Sequence, residues 1–174
     1  MSSQELLYVA YRDEHLGQEQ SDHGICYAIY LSKVLSETLR VLLLSPGSGS
    51  RLDNVLSSVA SVSPFPHTQA DAAAAQWEHG KAEAAGLARE AMLRRCSDQG
   101  VTADVHVGLD ANAGEIMRFL RRMKVHLVLL SPRVTETRNI HKRLVKSSPR
   151  PVVTMARGAA FPGAFDMRTD AGIV

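Results

Sequence analysis

The chain has 174 residues and a mass of 19.0 kDa, which sets the expectation of one domain. Hydrophobic residues make up 45% and charged residues 22%, ordinary globular usage that excludes a disordered or fibrous chain. No apolar run approaches the roughly 18 residues of a membrane span, and the separated Cys26 and Cys96 exclude a disulfide scaffold and a zinc ribbon.

Residues 1–20 contain no apolar signal core, so no export is expected. A reducing, cytoplasmic setting fits the two cysteines, each read as a buried packing residue. In chain order, residues 6–11 form a nearly unbroken apolar run of strand length, the pattern of a strand covered on both faces. After the polar stretch 12–23, Ile25, Ala28, Ile29, Ser32 and Leu35 recur at helical spacing and predict a helix over about 24–37. Residues 39–45 are a second buried strand, closed by Pro46-Gly47.

Residues 46–69 are rich in Ser, Gly and Pro around one weak helical patch, 52–59. From 70 to 97 the chain consists largely of the good helix formers Ala, Glu, Arg and Leu. Trp77, Ala84, Ala88 and Ala91 are expected to line one face of that helix, and Gly100 ends it. Residues 101–108 alternate and predict a strand less fully covered than the first two. Asn112 with Glu115 has the form of a capping box, followed by the apolar stripe Ile116, Phe119, Leu120 and Met123. Residues 125–130 are a fourth strand, 139–147 a short basic helix ended by Pro149, and 151–156 the last strand. Residues 1–157 are thus expected to form a single domain, with 158–174 a Gly- and Ala-rich tail. Strands alternating with helices imply an α/β fold, a doubly wound parallel sheet with helices on both faces. Ligands of such sheets sit at the carboxyl ends of strands where strand order reverses, here the loops after Tyr11 and after Leu130.

Charge is unevenly distributed. Residues 1–78 carry four basic and nine acidic side chains, whereas 115–150 carry ten basic against Glu115 and Glu136. Such a concentration can attract an anionic ligand, an acidic partner or nucleic acid, and is equally the solvated face of two helices. Nucleic acid is not expected, because the segment lacks interleaved aromatics: Phe119 belongs to the apolar stripe.

The stretch Val105-His106-Val107-Gly108, then Glu115-Ile116, then His126-Leu127-Val128-Leu129-Leu130 resembles the universal stress protein family. Leu144, Pro149 and Pro151-Val152-Val153 are similar to the family's ending, a helix that passes through a Pro-x-Pro-Val turn into the last strand. The resemblance covers nearly everything from 6 to 156. It implies a five-stranded, Rossmann-like doubly wound fold, usually dimeric, with a nucleotide site in some branches. The nucleotide-binding branch carries an Asp at the end of the first strand, where this chain has Arg12, with Asp13 one position late. It also carries Gly-x-x-Gly, about nine residues, then Gly-Ser or Gly-Thr after the fourth strand. This chain has Ser131-Pro132-Arg133-Val134, a shorter loop without any motif glycine.

The expectation is therefore a non-enzymatic regulatory or binding module, a homodimer that does not bind ATP and needs no cofactor. Dimerisation is expected through the final strand, Pro151, Val152, Val153, Thr154 and Met155, because an exposed apolar edge strand is a liability unless paired. Phe161 and Phe165 in the tail could add contacts. The alternative is a stress-response protein that binds ATP, AMP or another anionic small molecule through Arg12, Asp13, Ser131, Arg133, Arg138, Asn139 and His141. A nucleotide-hydrolysing enzyme is the third reading, and a protein partner goes with the first.

Other patterns have ordinary readings. The Ser45–Ser50 glycine-rich stretch has Leu52 where a dinucleotide loop needs its third glycine, and reads as an ordinary loop. Asp13, Glu14, His15, Glu19, Asp22 and His23 lack the spacing of a metal site, and read as solvated. His126 reads as a hydrogen-bonded core or strand-edge residue. No Gly-x-Ser-x-Gly elbow is present.

Overall fold

The computed structural model describes residues 4–15, 22–45, 67–110 and 112–156. The element order is β1 (Glu5–Tyr11), a 3-10 turn (Arg12–His15), α1 (Asp22–Leu35), β2 (Thr38–Ser45), α2 (His67–Asp98), β3 (Ala103–Asp110), α3 (Ala113–Arg122), β4 (Val125–Leu130), α4 (Pro132–Glu136), α5 (Arg138–Ser147) and β5 (Val152–Thr154). The Ser/Gly loop at 46–50, the helical patch 52–59, the tail with Phe161 and Phe165, and the side chain of Trp77 lie outside the described residues.

The five strands form one sheet in the order β3-β2-β1-β4-β5, every pairing parallel. Alternation along β1 explains why it lies at the centre. Leu6, Tyr8 and Ala10 face one core, while Leu7, Val9 and Tyr11 face the other. The first core is closed by Ile25, Ala28 and Ile29 of α1 and by Ala88, Met92 and Cys96 of α2. The second is closed by Ile116, Met117 and Leu120 of α3, Val134 of α4, and Ile140 and Leu144 of α5. Two apolar faces of one sheet, each roofed by helices, are what a doubly wound fold buries.

Local chemistry accounts for several details. Gly24 has no Cβ to meet the buried Tyr8 hydroxyl, which would lie only 2.5 Å away. Gly108, with φ of 103°, is the extra residue where the β2–β3 register shifts between Leu43 and Leu44, a bulge position suited to glycine. Asn112 caps α3 by accepting from the Gly114 N–H at 2.8 Å. β3 is an edge strand, and Arg89 covers part of its outer edge by donating Nε–H to the Val105 carbonyl at 3.2 Å.

The buried face of α2 differs from the alanine face expected from sequence. It runs through Ala88, Met92 and Cys96, with Ala91 exposed. These residues are spaced four apart, and the bulkier Met and Cys fill the core where alanines would leave space.

At the amino ends of the strands, a charged ladder crosses the sheet. Arg40 on β2 donates from Nε and Nη2 to the Glu5 carboxylate at 2.7 and 2.9 Å, and from Nη1 to Asp104 at 2.6 Å. The His106 ring packs edge-on against Phe119 with centroids 5.1 Å apart.

Candidate functional site: a crevice filled from within

Strand order reverses between β1 and β4, so the crevice that such sheets use for ligands opens at the carboxyl ends of these two strands. The chain leaving β1 folds at once into the 3-10 turn, and the chain leaving β4 enters α4. Ser131 starts α4 as an N-cap, its Oγ accepting the Val134 N–H at 3.2 Å, with Pro132 at the first helical position. A serine cap followed by proline suits a helix start, since proline lacks the amide that would go unpaired there.

The two loops meet around one carboxylate, that of Glu14. Its Oε2 accepts from the Tyr11 backbone N–H at 2.6 Å and from the Ser131 hydroxyl at 2.8 Å, and its Oε1 accepts from the Arg133 backbone N–H at 3.2 Å. Burial pushes the Glu14 carboxyl above the ordinary carboxylate range, while the donors from Tyr11, Ser131 and Arg133 pull the other way without cancelling it. Beside it, Arg133 Nη1 pairs with Asp13 at 2.5 Å, and the same guanidinium lies 4.9 Å from the centre of the Tyr11 ring, a cation–π arrangement. Tyr11 Oη lies 3.1 Å from Thr137 Oγ1, which itself donates to the Arg133 carbonyl at 3.0 Å. The donors and the cation that could hold an anion are thus engaged by the chain's own Glu14 and Asp13.

Among the residues singled out from sequence, Asp13, Ser131 and Arg133 come together here. Arg12 follows β1 with its Nε buried and making no hydrogen bond. Arg138 and Asn139 are exposed on the first turn of α5. His141 is half-buried, its backbone N–H donating to the Thr137 carbonyl at 3.0 Å. Sequence reasoning missed Glu14, Tyr11 and Thr137 as members of the site. Glu14 stood within an acidic stretch weighed for metal, and among the described residues no group of His, Cys, Asp or Glu is placed to hold a metal ion.

At the far edge of the sheet, Pro151, Val153 and Thr154 are exposed, Val152 is half-buried, and Met155 is buried in the core roofed by α1 and α2. His126 is half-buried near the start of β4, its Nδ1 in hydrogen-bond contact with the Glu5 carbonyl at 3.2 Å and 3.1 Å from Glu37 Oε2. Cys96 is buried, and burial pushes its thiol up to about 11, which leaves almost no thiolate at neutral pH. Cys26 is only half-buried, with its sulfur 4.0 Å from Arg95 Nη2. Among the described residues, no helix is long and apolar enough to cross a membrane.

The all-parallel order with its β1/β4 crevice places the chain among the doubly wound α/β folds that bind ligands at a switch point. Its fold is more particularly that of the universal stress proteins. A universal stress protein family protein from Burkholderia pseudomallei is similar over 87% of this chain and 94% of its own, with a TM-score of 0.52 and 15% identity. A universal stress protein family protein from Arabidopsis thaliana with AMP bound is similar over 90% and 93%, at 0.50 and 14%. The hypothetical protein MJ0577 is similar over 92% and 100%, at 0.50 and 13%. No protein-family profile matches the sequence, and no curated protein does.

Proposed function

We propose that the chain is a non-enzymatic, universal-stress-protein-like regulatory module of the cytoplasm that acts as a homodimer and does not bind ATP in the crevice between β1 and β4. The observation that carries this reading is the Glu14 carboxylate, which accepts from Tyr11, Ser131 and Arg133 where an anionic ligand would otherwise sit. The shared fold makes nucleotide binding the competing reading, since the Arabidopsis relative in structure holds AMP. A nucleotide entering here would have to displace an internal carboxylate that already has three donors. It would also lack the glycine loop whose amides wrap phosphates without steric hindrance. Catalysis is unsupported for a related reason. Ser131 is fully buried and its hydroxyl is committed on both sides, to Glu14 and to the Val134 amide.

Thermal unfolding with magnesium and millimolar AMP, ATP or tripolyphosphate tests the reading. AMP is expected to give no shift, and ATP no more than tripolyphosphate gives. A nucleotide-specific stabilisation approaching the roughly 2.7 kcal/mol expected at 100 times a dissociation constant overturns it, as does phosphate release from ATP.

The homodimer rests on β5, an edge strand bonded to β4 on one side, with Val153 and Val145 both exposed. Pairing β5 with its symmetry mate would cover this edge. Val153→Lys is expected to yield a folded monomer by light scattering, where the unchanged chain is a dimer. A monomeric parent, or a variant that stays dimeric, removes this part of the proposal.

A further inference from the structure

A second concentration of donors lies on the α3/α5 face, away from the crevice. A recess of about 250 Å³ runs between these helices and is lined by Gly114, Met117, Arg118 and Arg121 of α3 and by Arg143 and Ser147 of α5. Three arginines from two helices therefore border one small volume. Arg118 Nη2 lies 4.0 Å from Glu115 Oε1. Among the described residues, neither Arg121 nor Arg143 pairs with a carboxylate. Gly114 keeps the wall low, since nothing but the Asn112 cap approaches its side-chain position.

We infer that this recess binds a compact oligophosphate. Each guanidinium presents five N–H donors in a fixed fork, so three of them offer more than one planar carboxylate can accept. Linked tetrahedral phosphoryl groups carry enough oxygens and charge to be shared between α3 and α5. The like charges gathered at the rim repel one another until an anion is placed among them. Lys142 and Lys146 of α5 add to the attracting field from outside the recess. A nucleic acid fits less well, because none of the lining side chains is aromatic and no platform for base stacking exists there.

The recess shares no lining residue with the internally occupied crevice. Calorimetric titration with sodium tripolyphosphate at low salt is expected to show saturable binding, one ligand per chain, weakening as salt is raised. Arg121→Ala and Arg143→Ala should each weaken binding by about tenfold or more, as lost charge-assisted hydrogen bonds do. Both side chains border open space, so unfolding midpoints should stay near that of the parent. A Lys142→Ala/Lys146→Ala variant should lose less than about threefold, and Glu14→Ala should leave the affinity unchanged. Absence of saturable binding overturns the assignment, as does retained affinity in the arginine variants. Equal loss in the lysine variant would reduce the site to a diffuse field. Tighter binding of a short DNA duplex than of tripolyphosphate would make the face a nucleic-acid surface.

Discussion

Arg40→Met is expected to lower stability by about 3 kcal/mol at neutral pH, a fall of roughly 6–12 °C in the unfolding midpoint for a chain of this size. Arg40 makes a forked contact with Glu5, and both side chains are mostly sheltered, 19% and 15% exposed. Methionine keeps the apolar stem but leaves the Glu5 carboxylate partly buried without its donor. Asp104 suffers less, being 46% exposed and open to water. The pair should therefore show coupling: Glu5→Gln combined with Arg40→Met is expected to cost less than the two single changes summed. The pH dependence has a definite sign. Hydrogen bonding from Arg40 is the chief reason that the Glu5 carboxyl lies below its ordinary range, against an opposing effect of burial. A carboxyl held low contributes stability that is full above its unfolded value, about pH 4, and is lost as pH falls through the folded value. The cost of Arg40→Met should be largest at pH 7 and shrink in acid. A difference independent of pH between 7 and 3, or no coupling in the double variant, would show that the ladder does not hold the sheet in this way.

How far such features were legible depends on whether their cause is local. β1, β2 and β4 are apolar on both faces because helices cover both, and continuous hydrophobic runs announce this directly. The alternation of residues 101–108 signals a strand less fully covered than β1 and β2, and the sheet order places β3 at an edge. The loops after Tyr11 and Leu130 meet as the doubly wound topology requires. By contrast, the buried face of α2 was misread because an alanine-rich helix has little hydrophobic contrast from which to tell its faces apart. The short helix α4 was missed although Ser131-Pro132 is a start signal, because its five residues are too few for a periodic stripe. Glu14 was missed for a deeper reason. Which of several neighbouring carboxylates turns inward is decided by the 3-10 turn and by donors 117 and 119 residues away in sequence, and no local pattern encodes that choice. Reading the loop for an external anion overlooked the chain's own.

Glu14→Ala should cost about 1–3 kcal/mol, the range for leaving buried donors without their acceptor, and should also change what the crevice responds to. Removing the side chain frees the Tyr11 and Arg133 amides and the Ser131 hydroxyl, and lifts one of the two carboxylates facing Arg133. The emptied site would then offer a neutral-to-positive set of donors at the carboxyl ends of β1 and β4. Inorganic phosphate should raise the unfolding midpoint of this variant by several degrees more than that of the parent. Combining the change with Arg121→Ala and Arg143→Ala should preserve that gain, which separates the crevice from the α3/α5 recess. The pH dependence runs opposite to that of Arg40→Met. Burial holds the Glu14 carboxyl above its ordinary range, so its protonated form favours the folded state. The stability it contributes is full below the unfolded value of about 4 and declines as pH rises through the elevated folded value. The parent's advantage over Glu14→Ala should therefore be greatest near pH 4 and smaller at pH 7. Two carboxylates at opposite ends of one sheet thus predict crossing pH profiles, one for the ladder and one for the crevice. A parent that gains as much from phosphate as the variant would mean that Glu14 does not occupy the site, and the reading of the crevice as self-filled would fall with it.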